Sequence, residues 1–484
     1  MMQEMNLAAI SIELGIAVLM AAVLLIDLCM ARGTSRRALA RVTALGLLGV
    51  LALAVRMYPP DGGATAFFAG LYIVDGYAVF FKILFIVGVL ATVLFAEDYV
   101  EKMIRHRGEF YLLLLSALLG MCALASANDL MTAFVGLELM TISFYTLVAI
   151  RTDAPLSAEA GIKYLVFGSG STAVLLYGMS LVYGMTGTMV FQGIAQGLGL
   201  VLSLGLIGVV FILAGFFFKL SIIPFHLWAP DVYEGAPAPV TALLAMCSKA
   251  AGVAILLRVL FVAFPALSAY WTHLMAALAC VSMVGGNIMA FRQTNIKRML
   301  AYSSIAQAGY MMTAMVATNA AGIKAVLFYA MVYVLANVGA FVTVSYLETE
   351  RGGADFRSVR GLAHDSLLPA GILMVALLTM AGIPPTAGFV GKIYIFSAAI
   401  DAGYLWLAGL GFVVSMMSVY YYLLVIKEMF RDVEADEPMI DTPLRLPLLT
   451  GAMGIIAVAF TLVIGVWAEP LSIFSNIAVY TFMR

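Results

Sequence analysis

Charge is what this sequence has least of. Asp, Glu, Lys and Arg make up 11% of its 484 residues, against about a quarter in an ordinary soluble domain. With 64% hydrophobic residues and a mean hydropathy of +1.05, a water-soluble fold is excluded and an integral membrane protein is expected. No polar stretch has the length of a soluble domain, so any nucleotide, flavin or iron-sulfur chemistry belongs to another chain. Cysteine is also scarce: Cys29, Cys122, Cys247 and Cys280 lie singly in apolar segments, which offers neither a disulfide framework nor a metal site. The net charge of −1 says little, because what matters in a membrane chain is where the charges lie; the expected surroundings are a lipid bilayer, with no nucleic-acid partner. The opening MMQEMNLAAISIEL lacks a basic n-region and a small-residue cleavage site, so the first helix is expected to be retained rather than removed as a signal peptide.

What is abundant is apolar runs of about 20 residues, the length that crosses roughly 30 Å of hydrocarbon as a helix. They predict an all-α membrane protein of about 14 spans forming one polytopic domain over residues 1–484. Two runs, 199–233 and 366–402, are too long for one straight span. The second carries Ala381-Gly-Ile-Pro-Pro-Thr-Ala-Gly388 at its middle, where prolines remove backbone donors and must break the helix. The first has Gly215 and Pro224 as alternative breaking points. Broken backbone at membrane depth is tolerated only inside protein or beside a wet cavity. Basic residues fall overwhelmingly in the connections on one side, from Arg32 to Arg445, whereas Arg56 and Arg484 alone lie on the other. The populated side is cytoplasmic by the positive-inside rule, and both termini are expected outside.

A short repeat links the two long runs. AGFFFKLSI at Ala214–Ile222 is echoed by AGFVGKIYI at Ala387–Ile395, which makes Lys219 and Lys392 equivalent positions. Spans seven and twelve cross in opposite directions, so the repeat is inverted, as in secondary transporters with a site near the midplane. Its halves are expected at 109–264 (helices 4 to 8) and 270–430 (helices 9 to 13).

An ionisable residue inside a spanning helix costs about 2.5–3.5 kcal/mol on insertion scales, so it faces the bundle interior and is usually functional. Lys219, Lys249 and Lys392 lie deep in their segments beside breaks or small residues; snorkelling is their bland alternative. Glu138 sits mid-span in AFVGLELMTISFY with no basic neighbour. Desolvation drives a lone carboxyl to take up a proton and a lone lysine to lose one. Bringing the two together restores both charges, and separating them moves protons. Lysine suits this better than arginine, which stays protonated. A static buried ion pair is the alternative. Lys163, His226 and Lys324 are candidates for a relay. His226, Asp231 and Glu234 are placed at the reversal between spans seven and eight, where they could feed protons to Lys249, although such residues more often simply cap helix ends and bind water. Arg258 is read as snorkelling outward, Lys82 is left open, and Tyr420, Tyr421 and Tyr422 are read as an interfacial anchor or as packing.

These residues together resemble the antiporter-like membrane subunits of respiratory complex I, the proton-pumping NADH:quinone oxidoreductase, over essentially the whole chain. PFHLWAPDVYEGAPAPVTAL at Pro224–Leu243 and LMTISFY after Glu138 are closest to the bacterial N-type branch. The L and M types usually carry histidines where this chain has Cys247-Ser248-Lys249, and M usually has glutamate at Lys392. The chain ends after about 14 spans, without the lateral helix of the L type. The resemblance implies that Glu138 and Lys219 form a charge pair, that Lys249 connects the halves and that Lys392 serves the second half-channel. Lys163 matches a lysine of N-type chains. It also implies location in a bacterial inner membrane, with no cofactor in this chain and NADH, FMN, iron-sulfur clusters and quinone in partner subunits, the L, M, K, J and A types among them. The rivals are a subunit of a multi-subunit cation/proton antiporter or of a membrane-bound hydrogenase, and a scaffold with no proton path.

Overall fold

The structure is a computed structural model, and it describes residues 7–31, 33–58, 63–198, 202–432 and 446–483. Arg32, Arg445 and Arg484, which entered the orientation argument, lie outside these residues. Among the described residues the structure is helical but for one small hairpin, and the helices fall into a leading group, two similar halves and a trailing group.

The leading group is α1 (Ser11–Cys29), α2 (Arg37–Met57), the hairpin β1–β2 (Thr65–Phe67 and Tyr72–Val74) and α3 (Gly76–Met103). The first half contains α4 (Arg107–Ala125), α5 (Leu130–Val148), α6 (Pro155–Thr186), α7 (Phe191–Leu198), α8 (Leu202–Leu220), α9 (Trp228–Gly235), α10 (Ala238–Leu243) and α11 (Lys249–Arg258). A π turn, Leu244–Ser248, joins α10 to α11, and a second, Val259–Ala263, follows α11. The second half contains α12 (Ser268–Ala290), α13 (Ile296–Met315), α14 (Ala320–Arg351), α15 (Phe356–Val359), α16 (Leu362–Asp365), α17 (Leu367–Ala381), α18 (Ala387–Asp401) and α19 (Leu405–Met429). Then come α20 (Leu448–Val466) and α21 (Glu469–Phe482), the latter not anticipated from the sequence.

Among the described residues, 11 helices are long and apolar enough to cross a membrane. The expected spans seven and twelve are each two shorter helices, α8 with α9 and α17 with α18, and the expected tenth span is α13, whose start is basic. The rod from α10 through the second π turn and the long α14 are buried on nearly every side, whereas α1 and α6 present much of their surface outward. Leucines and valines such as Val18, Leu25 and Val166 are exposed there, as lipid-facing positions must be. Since lipid tails are as apolar as leucine, helices associate through close packing instead. A Cβ on Gly120 would sit 2.5 Å from the Met140 backbone nitrogen and 2.7 Å from the Gly136 carbonyl, so α4 and α5 touch backbone to backbone and fix the face that carries Glu138.

The two halves share several backbone contacts at corresponding places. Leu130 N–H donates to Met189 O and Phe191 N–H to Asn128 O; in the second half Ile296 N–H donates to Ala354 O and Phe356 N–H to Thr294 O. Asp129 and Asn295 cap α5 and α13 with their side chains. Gly187 and Gly352, both left-handed, end the two 32-residue helices α6 and α14. The breaks agree as closely: Ser221 (φ 57°) and Gly382 (φ 80°) open them, and Pro224 and Pro385 follow three residues on, each after a cis peptide. Ser221 N–H donates to Phe218 O, Ile222 to Phe217 and Phe225 to Ile222; Gly382 donates to Thr379, Ile383 to Leu378 and Thr386 to Ile383.

This register corrects the one drawn from the AGF-K echo. Ser221 pairs with Gly382, a separation of 161 residues, so Lys392 corresponds to Asp231 and Lys219 to Met380. The echo misleads because each copy flanks a break on a different side, one in the helix before it and the other in the helix after it.

Candidate functional site

Lys219 is the penultimate residue of α8, 2% exposed, and its Nζ donates to Thr141 Oγ1 at 2.5 Å. Thr141 Oγ1 in turn donates a hydrogen bond to Leu137 O at 2.6 Å. The rings of Phe218, Tyr164 and Tyr145 stand 5.6–6.0 Å from the ammonium nitrogen. Glu138 lies one turn before Thr141 on α5 and is half-buried; its Oε1 accepts from Thr172 Oγ1 at 2.8 Å. No ion pair joins Lys219 to Glu138 among the described residues. Each is held by a threonine, with Thr141 between them along α5.

Lys249 opens α11 directly after the π turn, is 2% exposed and donates to Ser304 Oγ at 2.7 Å. π turns of this kind recur at functional sites because the extra residue re-aims the side chains beside it. Lys392, 5% exposed, reaches back across the second break: its Nζ donates to Ala381 O (2.7 Å), Met380 O (3.0 Å) and Ser415 Oγ (2.8 Å). It thereby caps the last carbonyls of α17, the negative end of a half-helix. A Cβ on Gly382 would lie 2.8 Å from the Lys392 side chain, so glycine is required there both for its positive φ and for room.

Between Lys249 and Lys392 runs a polar face of α13. Ser303 is hydrogen-bonded to the Tyr422 hydroxyl. Gln307 Nε2 donates to Tyr422 (3.4 Å) and to Met380 O (3.1 Å), the carbonyl that Lys392 also uses. Tyr329 donates to Gln307 Oε1, and Tyr421 to Asn287 (3.0 Å), whose amide donates to Tyr310 (3.3 Å). Sequence reasoning missed this face. Its signal was Ser303, Ser304, Gln307 and Tyr310, polar residues three and four apart in one span, and so on one face of one helix. Tyr421 and Tyr422 are fully buried and Tyr420 is exposed, so only the last suits an interfacial anchor.

The remaining candidates fall elsewhere. His226 sits inside the first break rather than at the reversal, which comes after α9 at Ala236–Pro237; its Nδ1 is buried and unpartnered. Asp231 on α9 binds Lys163 and Arg298, each at 2.7 Å, and Lys163 also binds Glu159 at 2.8 Å. Glu234 takes the same arginine at 2.8 Å. Lys163 is therefore held in a charged cluster rather than left to snorkel. Lys297, in the first turn of α13, is buried against Glu348, which also accepts from Tyr99 (2.9 Å) and the Ala238 N–H (3.0 Å). Arg258 does not snorkel. It is 2% exposed and forks onto Asp75 at 2.9 and 3.1 Å. Lys82 is buried against Glu13 and the Tyr72 hydroxyl, both at 2.7 Å.

Residues 127–418 match the family described as "NADH:quinone oxidoreductase/Mrp antiporter, TM". The chain belongs to this family. Among curated relatives, NADH-quinone oxidoreductase subunit N of Desulfitobacterium hafniense is 46% identical, covering 97% of this chain and 98% of its own. Subunit N of Moorella thermoacetica is 45% identical over 99% of each. Among solved structures, a chain of respiratory complex I from Thermus thermophilus with bound aureothin has a TM-score of 0.81 at 35% identity, covering 95% of this chain and 98% of that one. A chain of the Mrp complex from Dietzia has a TM-score of 0.88 at 22% identity, covering 99% and 98%; at that identity the likeness speaks for the fold alone. In this chain Lys219, Lys249 and Lys392 are built into a membrane bundle with two breaks and a polar interior.

Proposed function

We propose that the chain is the N-type, proton-translocating membrane-arm subunit of an NADH:quinone oxidoreductase. It turns the energy of electron transfer in partner subunits into proton movement. The N-type relatives, 45–46% identical over nearly their whole length, favour this over a subunit of a cation/proton antiporter. NADH, FMN, iron-sulfur clusters and quinone belong to partners, and the L, M, K, J and A types are its neighbours. The two halves, 109–264 and 270–430, form the two half-channels of a bundle of about 14 spans, in a bacterial inner membrane with both termini on the outer side.

The observation that carries the reading is that three lysines, each at most 5% exposed, are hydrogen-bonded to hydroxyls and carbonyls rather than paired with carboxylates. A buried ammonium with a carboxylate is locked in charge; one with neutral partners can give up its proton, because both of its forms are then tolerable. Glu138 supplies the control. Lys219 moving from Thr141 toward Glu138, one turn away, gains a counter-charge and holds its proton, and moving back releases it. The proton passes to Lys249, then along Ser304, Ser303, Tyr422 and Gln307 to Lys392, and leaves on the outer side. Lys163, Lys324 and His226 take no step in this route.

The test has two stages. A tagged chain purified from its native membrane is expected to carry NADH:quinone reductase activity and a flavin and iron-sulfur spectrum. Hydrophobic partners with neither would replace this reading by the cation/proton antiporter. In the assembled complex, Lys392→Ala is expected to lower the proton-to-electron ratio. An unchanged ratio rejects the route.

A further inference from the structure

A groove of about 560 Å³ lies between α3, α14, α20 and α21, lined by apolar side chains including Phe80, Leu84, Met331, Leu335, Ala457 and Phe460. The volume is that of a small-molecule pocket, about 300–1,000 Å³, yet no convergent polar groups line it. Its outer wall is exposed: Phe460, Val463 and Trp467 face outward, so it opens sideways into the hydrocarbon. α14 and α20 run antiparallel beside it, since Phe328 and Val332 pack with Ile464 while Val342 lies near Gly454. Trp467, at the end of α20, thus marks the same end of the bundle as the start of α14.

Lys324 stands at that end. It is half-buried, and its Nζ lies over the Tyr394 ring at 5.6 Å. No carboxylate pairs with it among the described residues. Tyr394 packs against the Phe328, Val332 and Ile464 cluster, as do Leu335 and Leu471, which also line the groove. Lys324, Met331, Leu335 and Val338 are spaced 7, 11 and 14 residues along α14, which places them on one face. At 1.5 Å per residue, the groove's α14 wall runs from about 10 to about 21 Å below Lys324. Half of a hydrocarbon core about 30 Å thick is the depth that an acyl chain spans below its headgroup.

We propose that this groove holds an acyl chain of an anionic phospholipid whose phosphate is bound by Lys324. The occupant follows from the combination of a wholly apolar trench open to the bilayer, a cation with no carboxylate partner among the described residues at its headgroup end, and a wall about 10–21 Å below that cation, around the midplane depth that the end of an acyl chain reaches. The site does not depend on the proton route, and it gives Lys324 a task other than relay.

The experiment uses the intact complex in nanodiscs of phosphatidylethanolamine and phosphatidylglycerol, doped with phosphatidylglycerol bearing a diazirine in one acyl chain. After illumination, labelled peptides are mapped by mass spectrometry. Labelling is expected to concentrate on Phe80–Ala91 and on α20, above the level on the outward face of α6 around Val166 and Tyr177. Ala457→Phe, which fills the trench, is expected to abolish the excess. Lys324→Gln is expected to lower it about fivefold, the worth of one basic residue at an anionic surface. Equal labelling of groove and α6, indifference to Lys324→Gln, or displacement by an isoprenoid quinone would each overturn the assignment.

Discussion

The two broken helices share a backbone and differ in where they put their lysine. At both breaks a residue of positive φ opens the turn, the same three backbone hydrogen bonds close it and a proline follows at the same step. Yet Lys219 stands before its break and leans on a threonine, whereas Lys392 stands after its break and caps the carbonyls behind it. The position of Lys392 is held in the first half by Asp231, tied into a charged cluster with Lys163 and Arg298. A break exposes carbonyls at one helix end and N–H groups at the next, so a cation is favoured on either flank of the carbonyl end. The repeat fixed the scaffold, and each half filled it with a different charge.

The largest effect is expected where the first half is fastened to α3 by Asp75 and Arg258, a pair with no counterpart on the second half's α19 among the described residues. Removing one member of a buried pair strands the other charge, at a cost of about 3–5 kcal/mol. Arg258→Met should therefore sharply reduce the yield of assembled complex, and Arg258→Met combined with Asp75→Asn should restore much of it. If the single variant assembled at the wild-type level, the pair would not be what joins the halves to α3.

Next in size is the contrast between the lysines themselves. Lys392→Met leaves the Ala381 carbonyl buried without a donor, a loss of about 1–3 kcal/mol, while Gln307 still serves Met380 O. In Lys219→Met, Thr141 keeps its bond to Leu137 O, and the loss of stability is expected to be under about 1 kcal/mol. Both variants should impair proton transfer, and only the first should lower the unfolding midpoint of the purified complex. Equal midpoints would mean that the carbonyl cap carries no structural weight.

Much of the scaffold was legible because membrane insertion writes itself into composition: apolar runs give helices, and a Pro-Pro pair inside one gives a break. Pro224 was visible as one of two candidates. The short α21 and the hairpin were not visible, being too short to announce themselves in hydropathy. Deep lysines stood out against an apolar background, since nothing else accounts for their cost. Their partners did not, because serine, threonine, glutamine and tyrosine are tolerated in spanning helices and acquire meaning only when a neighbouring helix brings a donor to them. Arg258 was misread for the complementary reason. Asp75 lies 183 residues away, and no local pattern connects the two. The register of the repeat failed on a chance likeness of nine residues, where only backbone hydrogen bonds reveal which residues share a place.

The smallest effects separate the breaks by their first residue. Gly382 adopts φ 80° with no room for a Cβ beside Lys392, whereas Ser221 adopts φ 57° with its side chain buried. A left-handed residue other than glycine costs about 1–2 kcal/mol, and glycine in exchange gives up about 0.5–1 kcal/mol of chain entropy. For Ser221→Gly the relieved strain matches or slightly exceeds the entropy lost, and the unfolding midpoint should hold or rise slightly. For Gly382→Ala the two do not balance, because the added methyl also pushes Lys392 off the carbonyls it caps; both midpoint and proton-to-electron ratio should fall. If Gly382→Ala proved as mild as Ser221→Gly, Lys392 would have slack to spare, and the difference between the halves would lie in charge placement alone.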